Sequence, residues 1–358
     1  MDPQISVVVP TYNEKENISP LVERIHAALQ DIPYEIVFVD DNSPDGTGQV
    51  IQRLATLYPI QYISREKKDG LATAVLQGFA AARGDYVGAI NSDLQHPPEI
   101  LKALMDRLQN GADIVVASRY IPGGGIKDWG LRRRLVSRGS TLMARLLLPK
   151  LRSIHDPLSG YYLMRREVLP SADHHVPGFK ILLDVLMQER DHSVIEVPYT
   201  FVPRRHGKSK LGMRQSMEFL WHIAAWFKKS GELVRFLKFL AVGGTGILIN
   251  MGILYALTEW VGLYYLVSSV FAVEAAIISN FLLHDRFTFS NLRPAQPGRK
   301  FARLLKFNLV SVGGMALNVG ILWFLTSVLG VYYLISNLIG IASVTLVRYL
   351  VHLNWTWK

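Results

Sequence analysis

Apolar residues are distributed unevenly along the chain. Four long apolar runs cover residues 236–258, 263–283, 304–328 and 332–353. Each run is close to the roughly 20 residues that a helix needs to cross a bilayer. Residues 1 to about 230 instead mix short apolar runs with polar segments. The pattern therefore predicts a globular N-terminal part and a C-terminal part with four transmembrane helices.

Short β-branched runs in the N-terminal part predict buried parallel strands. They lie at residues 5–9, 35–39, 60–63, 86–90 and 114–117. Between the first two runs, helical spacing over residues 17–29 predicts a helix with Asn17 as its N-cap. Strands that alternate with helices are typical of an α/β, doubly wound, Rossmann-like sheet.

Polar clusters follow three of these predicted strands, at residues 10–14, 40–43 and 91–95. Ligands of such sheets bind beyond the carboxyl ends of the strands. Oxygen donors one residue apart in Asn91, Asp93 and Gln95 suit a hard divalent cation that bridges a diphosphate. The chain has no G-x-G-x-x-G and no Walker loop, so little supports a dinucleotide enzyme or a P-loop NTPase.

Basic residues around the apolar runs predict the membrane orientation. The connectors at residues 259–263 and 329–332 contain no Lys or Arg, whereas the opposite flanks contain many. By the positive-inside rule, both termini, the middle loop and the N-terminal part are cytoplasmic. We therefore expect an integral protein of the cytoplasmic membrane.

The two predicted helical hairpins repeat each other. Arg235, Lys238, Asn250 and His284 recur 68 residues later as Arg303, Lys306, Asn318 and His352. The register holds without a gap, which predicts a tandem duplication of one hairpin.

Composition narrows the function further. The 358 residues carry a formal net charge of +10, which fits nucleic acid, an anionic membrane surface or a phosphorylated substrate. No basic face with interleaved aromatic residues accompanies this charge, so no nucleic-acid partner is expected. The absence of cysteine excludes disulfides and thiolate metal sites. The first residues form a strand pattern, and no cleavable signal peptide is predicted.

Six motifs carry a resemblance to a known family. In order, they are VVVPTYNEKENI, VFVDDNSPDGT, NSDLQHPPE, ASRYIPGG, DPLSGYYLMRREV and RRHGKSKL, spread over residues 4–212. The chain thereby resembles the polyprenyl-phosphate sugar synthases of glycosyltransferase family 2, which have the GT-A fold, and above all the dolichol-phosphate mannose synthases. Its C-terminal part resembles the four-helix GtrA-type domain.

The resemblance implies an inverting hexosyltransferase that moves a sugar from a nucleotide-sugar to dolichyl or another polyprenyl phosphate, with Mg²⁺ or Mn²⁺ as cofactor. GDP-mannose is the first choice of donor and UDP-glucose the alternative. A different alternative is a glycolipid flippase or scaffold with a weakened transferase domain, which Asn91 and the intramembrane Glu274 favour.

The resemblance also implies roles for individual residues. Those expected to bind the nucleotide are Pro10, Tyr12, Glu14, Val39, Asp40, Asp41, Asn91, Ser92, Asp93 and Gln95, of which Asn91, Asp93 and Gln95 hold the metal. Those expected around the acceptor phosphate are Arg119, Arg133, Ser137 and Arg204. The catalytic set consists of Asp93, Arg119, Arg133 and Arg204. Guanidinium groups suit phosphate oxygens, and an acceptor that is already an anion needs no general base.

One residue departs from the family pattern, which has Asp at the place of Asn91 in Asp-x-Asp-x-Gln. Asn keeps an oxygen ligand but lacks the charge. We therefore expect weaker metal binding and slower turnover than with Asp at this position.

The domain prediction follows from these patterns. Residues 1–210 form the catalytic domain, residues 211–232 interfacial or linker helices, and residues 233–358 the membrane domain. Segments 131–151 and 213–227 have apolar faces interrupted by basic residues, a pattern typical of helices in the membrane interface and also of helices packed on a sheet. The segment 207–210 is expected to be a basic loop near the acceptor.

Overall fold

The computed structural model describes residues 2–68, 70–169, 180–188, 190–204, 213–292 and 300–357. It divides into two compact units, Met1–Trp226 and Phe227–Lys358. Each unit has a hydrophobic core of its own.

The first unit is built on a twisted, mostly parallel sheet. Its strands are β1 (Ile5–Thr11), β2 (Tyr34–Asp40), β3 (Ile60–Ser64), β4 (Tyr86–Ala89), β5 (Ile114–Ser118), β6 (Gly125–Ile126), β7 (Tyr162–Arg165), β8 (Val194–Pro198) and β9 (Thr200–Phe201). The main sheet has the order β3-β2-β1-β4-β7-β5-β8, and β6 pairs with β9 separately. Within the main sheet β7 is antiparallel to both neighbours, whereas the remaining pairs are parallel.

Helices connect these strands and cover the sheet. They are α1 (Lys15–Leu29), α2 (Thr47–Leu54), α3 (Leu71–Ala81), α4 (Leu101–Gln109), α5 (Leu131–Leu147), α6 (Ile181–Leu186) and α7 (Met213–Lys229). The α1 helix buries Ile18, Leu21, Val22 and Ile25, whose spacing of three and four residues forms one apolar face. Every residue of β1 is buried, as the run of β-branched residues predicted. The predicted α/β, doubly wound architecture is therefore confirmed.

Two local predictions differ from the structure. Asn17 is not the N-cap of α1, since the helix begins at Lys15. Asn17 lies inside the first turn and donates through Nδ2 to Glu14 Oε2 at 2.6 Å, so its amide serves a side-chain contact rather than a cap. The sequence analysis also missed the four strands that follow β5, namely β6, β7, β8 and β9, which are two to five residues long.

The second unit consists of two helical hairpins, α8 (Glu232–Tyr255) with α9 (Tyr265–Leu283) and α10 (Lys300–Trp323) with α11 (Tyr333–Val351). Each helix continues into a five-residue π-helical segment. Among the described residues, four such helices are long and apolar enough to cross a membrane. They span Glu232–Trp260, Tyr265–Thr288, Lys300–Val328 and Tyr333–Thr356, which confirms the predicted four spans and extends them by several residues.

Equivalent contacts recur in the two hairpins. The His284 ring stacks on Phe239 with centroids 4.6 Å apart, and the His352 ring stacks on Phe307 at 4.5 Å. Each histidine Nδ1 lies 3.0 Å from the hydroxyl of a threonine one turn later. The sequence repeat is therefore also a repeat of side-chain packing.

Gly88 in β4 gives a test of sheet packing. A Cβ at this position would collide with the Tyr162 carbonyl oxygen and the Leu163 side chain of β7. We expect Gly88→Ala to destabilise the protein by about 1–3 kcal/mol, because the backbones of two central strands must separate. Thermal unfolding of the purified full chain in detergent measures the effect as a melting temperature lowered by several degrees.

The matched control is Gly130→Ala, because no atom lies within 4 Å of the added Cβ at that position. Its melting temperature should stay within a degree or so of the original. If the Gly88→Ala protein had the same melting temperature as the original protein, this result would contradict the close packing of β4 against β7.

Candidate active site

The three polar clusters lie at one edge of the main sheet. Thr11 at the end of β1 is paired with Asp40 at the end of β2, and β4 ends beside β1 shortly before Asn91. In the turn after each of these strands one non-glycine residue has a positive φ: Asn13 at 54°, Asn42 at 58° and Leu94 at 57°. Such backbone strain persists where surrounding contacts enforce it and is frequent at functional sites.

An arginine links two of the clusters. Arg204 Nη2 donates to Asp93 Oδ2 at 2.7 Å, and Arg204 Nη1 lies 3.7 Å from Glu14 Oε1. The other Asp93 oxygen accepts the Gln95 backbone N–H at 3.2 Å. Both carboxylates are buried, so their charges need a close positive partner. Arg204 supplies it across 111 residues of sequence separation.

A second arginine is held by a buried carboxylate that the sequence did not single out. Arg119 follows β5 and binds Asp156 through two parallel hydrogen bonds, Nε to Oδ2 at 2.7 Å and Nη2 to Oδ1 at 2.8 Å. Burial alone would lower the pKa of the Arg119 guanidinium, but Asp156 raises it above its ordinary value. Arg119 therefore keeps its charge and has a fixed orientation.

Arg133 completes the basic group. Its guanidinium lies over the Trp129 ring, 4.0 Å from the centroid. Burial lowers the pKa of Arg133, and the charges of Arg204 and Arg119 lower it further while Asp93 opposes them. Its buried Nε has no hydrogen-bond partner among the described residues. Arg133 therefore lies within electrostatic range of Arg204, Arg119 and Asp93, and this positive charge suits an anion with several oxygens.

The two aspartates at the end of β2 have different surroundings. Asp40 accepts bonds from the Ser43 backbone N–H at 3.1 Å and from the Ser43 hydroxyl, which hold the turn. Asp41 accepts Arg65 Nη1 at 2.7 Å. Burial raises the pKa of Asp41, and the nearby Arg65 charge reduces this effect. The sequence did not single out Arg65, which lies 24 residues from Asp41.

The remaining residues expected at the nucleotide surround the same edge. The Pro10 carbonyl accepts the Ser92 hydroxyl at 3.2 Å, which joins the β1 and β4 ends. The Tyr12 ring lies beneath the Lys68 ammonium at 4.1 Å. Val39 is fully buried in the sheet, so it lies beneath this edge rather than on its surface.

The three side chains at the β4 end offer the type of atom that a hard cation prefers. They offer only part of the negative charge, because two of them are amides and one is a carboxylate. Asn91, Asp93 and Gln95 offer oxygens, which Mg²⁺ and Mn²⁺ prefer. Gln95 Nε2 donates to the Val202 carbonyl at 3.2 Å, so its carbonyl oxygen is the atom left for a ligand. No group of three or more His, Asp or Glu side chains suited to a metal occurs among the described residues. A cation here would therefore need the charge of a bound diphosphate.

Ser137 contacts a second hydroxyl, since its Oγ lies 2.7 Å from the Tyr120 hydroxyl. A bond between two hydroxyls uses only one of their O–H groups, so the other can still donate to a ligand. Tyr120, Trp129 and Asp156 were absent from the sequence-based set, although Tyr120 and Asp156 belong to motifs that carry the family resemblance. The basic segment 207–210 lies outside the described residues.

Comparisons with known proteins agree with these motifs. A family model described as Glycosyl transferase family 2 matches residues 6–171, and one described as GtrA/DPMS, transmembrane domain, matches residues 238–357. A dolichol-phosphate mannosyltransferase of Pyrococcus furiosus is 42% identical over 354 residues, which cover 99% of each chain. The dolichol-phosphate mannosyltransferase of Saccharomyces cerevisiae is 36% identical, over 68% of this chain and 95% of that protein.

Two further similarities cover a smaller share of this chain. A polyprenol monophosphomannose synthase of Mycolicibacterium smegmatis is 37% identical, over 62% of this chain and 85% of that protein. A crystal structure of glucosyl-3-phosphoglycerate synthase from Mycobacterium tuberculosis has a TM-score of 0.49 and 24% identity, over 64% of this chain and 80% of that chain.

His96 gives a pH-dependent test of the site. Its buried ring stacks on Tyr161 with centroids 5.3 Å apart, and Nδ1 accepts the Asn91 backbone N–H at 3.4 Å. Burial lowers the pKa of His96 from 6.5 to about 4. Unfolded protein therefore binds more protons than folded protein between these pH values, so stability falls as the pH drops from 6.5 towards 4.

We expect His96→Gln to flatten this part of the profile, because the amide oxygen can still accept the Asn91 N–H but does not titrate. Melting temperatures between pH 4 and 7 measure the effect. The control is His26→Gln, which removes an exposed histidine and should leave the slope unchanged. Parallel profiles for all three proteins would disprove the buried neutral state of His96.

Proposed function

Since this chain belongs to the dolichol-phosphate mannosyltransferases, and accordingly transfers mannose to a polyprenyl phosphate, we propose that GDP-mannose is its donor and that the Asp93 edge of the GT-A sheet is its active site. The observation that carries the assignment of the site is the contact of Arg204 with Asp93, together with the electrostatic coupling of Arg133 to Arg204, Arg119 and Asp93. Both substrates carry negatively charged phosphate groups, which such positive charge stabilises.

The proposed reaction needs little acid–base catalysis from the protein. A phosphate oxygen of the acceptor attacks the anomeric carbon of mannose, a carbon–oxygen bond forms with inversion, and the nucleoside diphosphate leaves with the electron pair of the broken bond. Because the nucleophile is already an anion, alignment and charge neutralisation account for catalysis. Burial lowers the pKa of His96 and so makes it a weak base, which agrees with a mechanism that uses no histidine base.

The residues of the active site divide between the two substrates. Asn91, Asp93 and Gln95 hold Mg²⁺ or Mn²⁺, which when bound neutralises charge on the departing diphosphate. Glu14, Asp40 and Asp41 lie on the nucleotide side of the same edge, together with Pro10, Tyr12, Val39 and Ser92. Arg119, Arg133, Ser137 and Arg204 orient the acceptor phosphate. The present contact of Arg204 with Asp93 supports an exchange in which donor binding releases Arg204 for the acceptor.

Exposed apolar residues support a membrane-facing role for two helices of the first unit. Along α5 these residues are Leu131, Leu135, Val136 and Leu142, and along α7 they are Met217, Leu220 and Trp221. Such faces suit the interface of a bilayer, where the lipid acceptor resides. The distribution of Lys and Arg supports a cytoplasmic active site, cytoplasmic termini and residence in the cytoplasmic membrane. We retain residues 1–210, 211–232 and 233–358 as catalytic, linking and membrane domains.

The donor is tested by transfer from radiolabelled GDP-mannose, UDP-glucose and UDP-GlcNAc to dolichyl phosphate in detergent with Mn²⁺. We expect label in the lipid fraction from GDP-mannose alone. Lipid-linked glucose without lipid-linked mannose would contradict the proposed donor and leave the mechanism in place.

Asn91 gives a test of the metal site. We expect Asn91→Asp to bind Mn²⁺ at least about tenfold more tightly, because a carboxylate ligand replaces a neutral amide, and to turn over faster. Mn²⁺ titration in the presence of GDP measures the affinity separately from turnover. Asn110→Asp, an exposed change away from the site, is the charge-matched control. Equal affinity in the Asn91→Asp and Asn91 proteins would argue against metal binding at this position.

A further inference from the structure

A cavity of about 530 Å³ lies between α5 and the segment that follows β5. From α5 it is lined by Arg138, Thr141 and Arg145, whose spacing of three and four residues places them on one face of the helix. Arg119 and Tyr120 contribute from the β5 side. Of the four proposed acceptor residues, Arg119 lines the cavity and the other three do not, although Tyr120 in the lining contacts Ser137.

Positive charge in this cavity is only partly compensated. The charge of Arg119 is balanced by Asp156, and His155 is paired with Glu196 at 2.8 Å. Arg138 and Arg145 form no ion pair with any side chain in the part of the chain that the structure describes. Arg145 Nη2 donates to the Arg152 carbonyl at 2.7 Å, which fixes the guanidinium without neutralising it.

Two polar atoms in the lining are buried without a partner. The hydroxyl of Thr141, a residue only 5% exposed, makes no hydrogen bond to the described residues, and neither does Arg145 Nε. Buried polar groups are rarely left unsatisfied, because each costs free energy. Two guanidinium groups and a hydroxyl on one face together suit a phosphate group, which presents several acceptor oxygens.

The rim of the cavity is apolar. Ile121 and Pro122 line it on one side, and Leu142, more than half exposed, lies on the other. Exposed Leu135 and Val136 continue this apolar surface along α5. The volume exceeds that of a single phosphate group, and the protein belongs to a bilayer. These features match a ligand that joins a phosphate headgroup to an apolar chain.

We propose that this cavity is a second, non-catalytic phosphate site, which binds the headgroup of an anionic membrane lipid through Arg138, Thr141 and Arg145. The ligand comes either from the phospholipids of the bilayer or from a second polyprenyl phosphate molecule. This site depends neither on the proposed donor nor on the metal, and mannose transfer does not require it.

Native mass spectrometry of the full chain in detergent tests the proposal by counting bound lipids during titration. The probes are dioctanoyl phosphatidylglycerol, zwitterionic dioctanoyl phosphatidylcholine, farnesyl phosphate and inorganic phosphate. We expect saturable binding of an anionic lipid to the original protein. The double variant Arg138→Gln/Arg145→Gln should weaken this binding by at least about tenfold, because the loss of one charge-assisted hydrogen bond already has an effect of that size. This variant should still transfer mannose to an acceptor dispersed in detergent. A loss of lipid binding without a loss of transfer therefore tests the cavity separately from the proposed active site.

The matched control is Arg132→Gln/Arg134→Gln, which removes the same charge from α5 outside the cavity lining. It should change affinity by no more than about twofold, because neither of its guanidinium groups lines the cavity. If the first double variant fails to fold, Thr141→Val serves in its place, because it removes the buried hydroxyl with little change in volume and should weaken binding several-fold.

The four probes separate the outcomes. Loss of phosphatidylglycerol binding in the cavity variant supports a bilayer phospholipid as ligand. If the original protein binds two farnesyl phosphate molecules per chain and the cavity variant binds one, the result supports a polyprenyl phosphate as the ligand of the cavity. Equal loss in the cavity variant and the control, equal binding of phosphatidylcholine, or binding of inorganic phosphate alone would overturn the proposal.

Discussion

Buried carboxylates at the carboxyl ends of parallel strands need positive partners, and in this protein that requirement organises the active site. Asp93 and Glu14 come from the ends of β4 and β1, and Arg204 lies against both. Without the guanidinium, two like charges would remain close together in a poorly hydrated place. Under the proposed assignment of the site, a cation and two phosphate-bearing substrates would take over these charge contacts around Asp93.

Charge pairing also links the hairpins of the membrane unit. Glu232 at the start of α8 accepts the Tyr349 hydroxyl of α11 at 2.9 Å. Asp285 after α9 accepts Arg303 of α10 and the Trp357 indole, each at 3.1 Å. The duplicated hairpins therefore share ring stacking and the His–Thr contact but differ in these polar contacts between hairpins. Interhelical hydrogen bonds of this kind are modest individually and mainly select one arrangement of helices.

One helix serves several of the proposed roles. From α5, Arg133 faces the acceptor site, Arg138 and Arg145 line the second phosphate cavity, and Leu131 and Leu135 remain exposed. A helix permits this division because residues three or four positions apart share a face whereas their neighbours do not. The basic and apolar residues that are interleaved along α5 therefore lie on different faces of the helix and belong to different proposed sites.

The sequence by itself determined the alternation of strands and helices, the four membrane helices and the strand-end clusters, because periodicity and local polarity encode them. The family motifs located Arg119, Arg133, Arg204 and Asp93, but they did not show which of these residues contact one another, and they did not single out Asp156. Only the tertiary structure decided that Asp156 clamps Arg119 across 37 residues, that Arg204 reaches Asp93 across 111, and that β7 runs antiparallel. Such pairings depend on how distant segments meet in three dimensions, which no local pattern of residues records.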